Sequence, residues 1–184
     1  MFLLCGVLSL WYRDRENLKK TLGVSQSPKT SWSIDQILGA PDTPLPGDFQ
    51  TAWASKTQDA GKERIILEYP RIQTVSAIWV YETYNPGALI QIDTVNANGG
   101  TKTVWHGRDP TGAGSAIGIS KIKLDKPVTS RRIRIVLDTQ NFPGWNEIDA
   151  VAILGADGKK QFATNAWASS SFGDNRDKPA WFWP

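Results

Sequence analysis

PGWNEIDAVAIL, residues 143–154, joins a polar turn to an almost wholly apolar run. Its opening Pro-Gly pair is a typical turn signal. The run from 148 to 154 is too short for a good helix and is rich in Val and Ile, so it predicts a buried strand. The tripeptide Trp145-Asn146-Glu147 stands just before that strand and offers an aromatic ring, an amide and a carboxylate. We therefore expect a core strand with a polar rim at its start.

Other segments of the chain carry the same strand signature and are separated by turns rich in Gly, Pro and Asn. They are residues 64–69, 74–83, 89–95, 101–105, 116–124 and 131–138. Short strands at this spacing predict an all-β fold, an antiparallel β-sandwich of about eight strands. A short N-terminal helix is also expected, with Ser33 as its cap and Gln36 completing a capping box.

Composition excludes several classes of protein. The chain has 184 residues, of which 40% are hydrophobic and 21% charged, which is typical of one principal globular domain. The formal charge is +3 and the basic residues are scattered, so no nucleic-acid partner is predicted. Cys5 is the only cysteine, which excludes an internal disulfide. Nine Trp residues are unusual, and some of them are expected in ligand-contacting loops.

The chain divides into three parts. Residues 1–22 form an apolar and then charged segment or stalk, 23–160 the sandwich, and 161–184 an aromatic tail. The apolar run 2–11 is too short to cross a bilayer, so no span is predicted within this chain. It reads either as the end of a membrane or signal segment or as a helix packed on the domain. The tail ends in AWFWP, which would dock on the sandwich, cover a protein partner or begin a further module.

Six motifs in matching order extend across residues 25–155. They are LGAPD (38–42), TAWAS (51–55), IILEY (65–69), YETYNPG (81–87), RRIRIVLD (131–138) and GWNEIDAV (144–151). Together they resemble the discoidin or coagulation factor 5/8 type C family, the galactose-binding-like group that includes many carbohydrate-binding modules. The resemblance implies an eight-stranded jelly roll that is not catalytic by itself. Loops at one end of such modules bind sugars, lipid head groups or proteins.

The same resemblance implies a structural calcium ion. Its ligands here would be Asp42, Asp48, Thr51 and Glu147, and calcium favours such carboxylate, hydroxyl and carbonyl oxygens. The alternative is that the two aspartates are ordinary turn residues and that Glu147 is a rim charge paired with an arginine.

Sugar recognition requires an apolar surface for the ring and planar polar groups for the hydroxyls. The loop residues that supply these groups are Tyr84, Asn85, Trp105, His106, Arg108, Trp145 and Asn146. Trp53 and Trp79 lie within strand or anchor motifs and are expected in the core. The sequence has neither a nucleophile elbow nor a phosphate loop, and a rim role for Glu147 is simpler than a catalytic couple with Asp149. An enzyme is therefore not predicted.

The predicted function is that of a non-catalytic carbohydrate-binding module of a larger extracytoplasmic protein. The alternative is a protein-interaction or assembly module at the cell surface, with the aromatic tail as its contact. Either function indicates an extracellular or cell-surface location. One alternative is that the chain is a fragment of a membrane-anchored protein. The sequence does not identify the sugar.

Overall fold

The computed structural model describes residues 29–112, 115 and 118–182. In that part of the chain, eight antiparallel strands form the fold, with short 3₁₀-helices at Ile34–Ile37 and Thr139–Asn141. The strands are β1 (Trp53–Ala54), β2 (Lys62–Tyr84), β3 (Leu89–Val95), β4 (Thr101–His106), β5 (Gly118–Asp138), β6 (Glu147–Gly155), β7 (Lys160–Phe162) and β8 (Asn165–Ala168). The all-β prediction is confirmed. Segment 1–22 and Trp183 lie outside the described residues.

The two long strands, β2 and β5, run through both layers of the sandwich. Their pairing is interrupted between Glu68 and Gln73, where the register shifts. Before the shift β2 also pairs with β8, and after it with β6. Both halves of β2 nevertheless bury their side chains in one core, with Ile65 from the first half and Ile78 from the second. The sheet is therefore folded over on itself, and the predicted antiparallel sandwich is confirmed.

Alternation along β5 separates core from surface as the sequence predicts. Ile133, Ile135 and Leu137 are buried in the main core. Arg132 and Arg134 point the other way, and their Nε atoms lie 2.5 Å from Glu68 Oε2 and 2.8 Å from Asp93 Oδ2. Trp53 is also fully buried in the main core, as predicted.

Trp79 does not lie in the main core, so that prediction is wrong. It is half-buried on the outer face of β2, where it joins a second apolar cluster with Tyr81 and Phe162. The ammonium groups of Lys121 and Lys160 lie 4.4 and 4.2 Å from the centroid of its ring. Because residues on both faces of β2 are apolar here, hydrophobicity alone does not identify the inner face.

The predicted capping box is also absent. The helix has only four residues, and the Ser33 hydroxyl makes no capping bond. That oxygen is buried without a hydrogen-bond partner among the described residues. The Gln36 side chain instead donates from Nε2 to the Thr30 carbonyl at 2.9 Å. Packing of this short turn against the sandwich overrides the local capping preference.

The described chain from residue 160 to 182 is an integral part of the sandwich. β7 pairs with β6, and β8 pairs with β2. Trp181 then packs edge-to-face on Trp167 at 5.1 Å between ring centroids. A Cβ atom at Gly99 would lie only 2.0 Å from the Trp181 carbonyl oxygen, so this turn requires glycine. The described aromatics of the tail are thus docked on the domain.

No helix among the described residues is both long and apolar enough to cross a bilayer.

Candidate functional site

One end of the sandwich gathers most of the polar residues singled out above. There β2 ends and β6 begins, with Tyr84 opposite Glu147 in the register. Residues 42–51 lie over this end, since the Gly47 amide donates to the Thr83 carbonyl at 2.9 Å. On the approach to β6 the turn uses Gly144 at a φ of 101°, a conformation that favours glycine.

A cleft of about 140 Å³ opens at this end, and we call it the aromatic cleft. It is lined by Trp32, Asp48, Ala54, Trp145, Glu147 and Phe172. The walls come from four separate parts of the chain, and the cleft combines aromatic rings with two carboxyl groups. It is therefore a candidate ligand site of mixed apolar and acidic character.

The three rings of the cleft form a corner. Trp145 is anchored by its indole N–H, which donates to the Ser55 carbonyl at 3.1 Å. Its ring meets Phe172 at 5.8 Å between centroids and 89° between planes. Phe172 in turn meets Trp32 at 5.6 Å and 75°. These are favourable edge-to-face contacts, and they hold the rings as walls rather than as one flat platform.

Trp32 is held in an uncommon backbone conformation. Its φ is 51°, in the left-handed region that a tryptophan rarely adopts. Its amide donates to the Gln50 carbonyl at 3.1 Å, and its carbonyl accepts from the Gly173 amide at 3.3 Å and the Ser171 hydroxyl at 3.1 Å. Its indole N–H donates to Asp48 Oδ1 at 3.0 Å. Such over-determined strain is often found at functional positions.

Glu147 forms the buried acidic part of the cleft. Its side chain accepts the Phe49 amide at 3.2 Å, and the residue is 2% exposed. Burial raises the pKa of the Glu147 carboxyl to about 8, and the neighbouring Asp48 carboxylate adds to that rise. Within the described part of the chain, the ion pairs of Lys and Arg are made with other carboxylates.

The four residues expected to bind calcium are divided between two carboxyl pairs. Asp48 lies beside Glu147 in the cleft, whereas Asp42 lies beside Asp149. Thr51 Oγ1 is 2.8 Å from Thr43 Oγ1, on the side of the second pair. Among the described residues, no three His, Cys, Asp or Glu side chains lie close enough together to hold a metal ion by themselves.

The Asp149 pair has the chemistry that a cation favours. Asp149 is buried, its Oδ2 accepts the Thr43 amide at 3.3 Å, and its Oδ1 has no hydrogen-bond partner among the described residues. Burial and the nearby Asp42 carboxylate both raise the pKa of Asp149. Together with the Thr43 and Thr51 hydroxyls and the carbonyls of this Pro-rich loop, these oxygens fit calcium.

Three of the residues expected to bind sugar lie together beside the cleft. Asn85 donates from Nδ2 to the Pro143 carbonyl at 2.9 Å, and Asn146 donates from Nδ2 to the Asn85 carbonyl at 2.6 Å. The Asn146 Oδ1 atom is buried with no partner among the described residues. Tyr84 is 40% exposed. The two amides mainly tie adjacent loops together, and Tyr84 is accessible.

Trp105, His106 and Arg108 do not line the aromatic cleft. Trp105 is half-buried and packs against the main core, while His106 and Arg108 are exposed.

A further carboxyl pair at this end is closed to solvent. The Ser120 hydroxyl lies 2.7 Å from Glu82 Oε2 and also contacts Asp109 Oδ1. Asp109 Oδ2 accepts the Leu89 amide at 3.1 Å. Burial, and then the Asp109 charge, raise the pKa of Glu82 well above its ordinary range. This cluster fixes the loop after β4 to the end of β2.

Sequence reasoning missed Trp32 and Phe172. They lie near opposite ends of the described chain and meet only through the return of the segment after β8. The available signal was the segment 168–173, which resembles the opening of such modules but gave no partner.

Comparison with solved structures identifies the fold. The family 32 carbohydrate-binding module from Streptococcus pneumoniae EndoD matches with a TM-score of 0.51 at 15% sequence identity. The match covers 71% of this chain and 90% of that chain. This chain has the fold of that module. The discoidin-like resemblance is therefore confirmed at the level of the fold, and no family model or curated protein matches the sequence.

Proposed function

We propose that the chain is a non-catalytic carbohydrate-binding module of a larger extracytoplasmic protein and that it binds glycan in the aromatic cleft. The observation that carries this proposal is the meeting of Trp32, Trp145 and Phe172 around two carboxyl groups. A fold like that of a carbohydrate-binding module supports the same class of ligand.

The cleft offers both kinds of contact that a sugar requires. The Phe172 ring is 53% exposed and presents an apolar surface to the C–H face of a sugar ring. Carboxylate oxygens of Asp48 and Glu147 would accept hydrogen bonds from hydroxyl groups. Tyr84, opposite Glu147, extends the surface for a second residue of a chain.

A binding role accounts for the acidic residues better than catalysis does. Glu82 and Asp109 are buried and bonded to Ser120. Asp93 is buried and paired with Arg134. Asp149 accepts backbone donors beneath the loop 42–51. These four residues do not line the aromatic cleft. Among the described residues, the carboxyl groups that line it are those of Asp48 and Glu147.

We also propose a structural calcium ion at the Asp149 pair. Asp42, Asp149 and Thr51 would hold it, with carbonyl groups and water completing the shell. The ion would neutralise two neighbouring carboxylates and fasten residues 42–51 to β6. Asp48 and Glu147 then remain available to the aromatic cleft.

The test of the function is glycan binding by the full chain. We expect binding on an array of plant, bacterial and animal glycans, confirmed by calorimetric titration. Trp145→Ala should weaken it at least ~10-fold, because a central aromatic contact is worth about 2 kcal/mol or more. Trp79→Ala is the matched control, since this tryptophan lies on the outer face of β2, and it should bind normally.

Absence of binding to every glycan would refute the proposal. Equal loss of binding in both tryptophan variants would show that the aromatic cleft is not the binding site.

A further inference from the structure

The aromatic cleft combines a corner of aromatic rings with two carboxyl groups. Its rings meet at 89° and 75°, so they enclose a corner rather than form a single stacking platform. Ring faces carry the negative part of the aromatic quadrupole and attract cations. A corner made of several rings suits a compact cationic group better than the flat face of a pyranose.

The carboxyl groups add negative charge to the same corner. Asp48 and Glu147 both line the cleft, and Glu147 is 2% exposed. The Trp32 indole N–H donates a hydrogen bond to one oxygen of Asp48, and the Phe49 amide donates one to an oxygen of Glu147. Among the residues described, no lysine or arginine is ion-paired with either group.

Asp48 and Glu147 lie side by side, and neither is ion-paired with a lysine or arginine among the described residues. A ligand hydroxyl would donate one hydrogen bond to them and bring no charge. An ammonium group donates up to three hydrogen bonds and brings a positive charge, and charge-assisted bonds are roughly twice as strong as neutral ones. Sulfate or uronate groups would be repelled.

We infer that the aromatic cleft selects glycans that carry a free, protonated amino group, such as units of 2-amino-2-deoxyglucose or 2-amino-2-deoxygalactose. This inference rests on the proposed glycan-binding function and specifies its ligand class. The ammonium group enters the corner between Trp32 and Trp145 and bonds to the two carboxyls. The sugar ring lies outside it against the exposed Phe172.

The test compares matched ligands that differ only at the second carbon. The full chain is titrated with tetramers of β-1,4-linked glucosamine, N-acetylglucosamine and glucose, and with galactosamine, N-acetylgalactosamine and galactose. The buffer is acidic enough to keep the amines charged. We expect the amine to bind at least 10-fold more tightly than both neutral counterparts in at least one series.

Two variants test whether the preference for the amine depends on the aromatic cleft. Asp48→Asn removes the charge but keeps an oxygen acceptor for the Trp32 indole, so it should fold normally and lose the preference for the amine. Asp125→Asn removes an exposed charge outside the cleft and should retain it. Thermal melting confirms that both variants are folded.

The outcomes separate this inference from the proposed function. If neutral sugars bind as tightly as the amines, or if Asp48→Asn keeps the preference, the inference fails and glycan binding stands. If neither series nor any arrayed glycan binds, the proposed function fails as well.

Discussion

Two of the aromatic groups that lie outside the main core are surrounded by opposite charges. On the outer face of β2, Lys121 and Lys160 place ammonium groups 4.4 and 4.2 Å from the centre of the Trp79 ring. In the aromatic cleft, the charged neighbours of Trp145 are Asp48 and Glu147. Both tryptophans are half-buried, so exposure does not distinguish them.

What distinguishes them is the source of the complementary charge. The ring face attracts cations, and the outer-face cluster obtains them from the chain itself. In the described part of the cleft, the rings lie beside two carboxyl groups, and neither of these is ion-paired with a lysine or arginine. A tryptophan whose ring already contacts lysines of the chain stabilises the fold. A tryptophan that lies beside carboxyl groups is a better candidate for ligand binding.

The largest expected effect is the response to calcium at the end of the sandwich that carries the cleft. Calcium at about 100 times its dissociation constant should stabilise the folded chain by about 2.7 kcal/mol. Urea unfolding with calcium or with EDTA measures this gain. Asp149→Asn should abolish it, and Lys121→Met, on the outer face, should keep it. Identical unfolding curves in calcium and in EDTA would eliminate the proposed ion.

A smaller difference is expected in the dependence of stability on pH without calcium. The Glu147 pKa rises from its ordinary 4.5 to about 8 on folding, so the folded state holds a proton that the unfolded chain releases. The stabilisation is complete below about pH 4 and is lost as the pH rises towards 8, at no more than about 1.4 kcal/mol per pH unit.

Glu147→Gln should make that part of the profile less steep, because only the contributions of Asp149 and Glu82 remain. The profile of Lys121→Met should run parallel to that of the parent chain. Urea unfolding at a series of pH values in EDTA measures both slopes. A profile for Glu147→Gln that parallels the parent would show that this carboxyl does not gain a proton on folding.

The smallest expected effect belongs to the outer face. Lys121→Met keeps the aliphatic stem but removes the charge above Trp79, and it should cost about 0.5–1 kcal/mol of stability. A double-mutant cycle with Trp79→Leu isolates that contact, and glycan binding should be unchanged. A coupling energy of zero would contradict the comparison, because Lys121 would then not stabilise the fold through the Trp79 ring.

The strands were predictable because alternation and turn chemistry agree over most of the chain. The segments around 89–95 and 148–154 were located to within a residue of β3 and β6. The continuity of β2 and β5 across both layers was not predictable, because Pro70 and Pro127 look like strand breaks. Pro70 lies instead within the register shift between Glu68 and Gln73, and Pro127 lies on the β5 side of the second shift, so both strands continue past their prolines.

The candidate site was only partly predictable. Trp145 and Glu147 follow a turn directly before a buried strand, and the structure places both in one cleft. Trp32 and Phe172 have no local pattern that indicates their meeting, because non-local contacts of this kind depend on the completed fold. Trp79 was misplaced for a different reason, since residues 78 and 79 are both apolar and only one can face the core.

The return of the chain to its own beginning has a consequence for the timing of synthesis. Trp32 accepts a hydrogen bond from Ser171, which lies 139 residues later in the sequence. A nascent chain that has already emerged through β6 contains Trp145 and Glu147 but lacks the wall formed by Phe172. The cleft is therefore completed late on the ribosome, and a truncated product would keep much of the sandwich without a finished binding site.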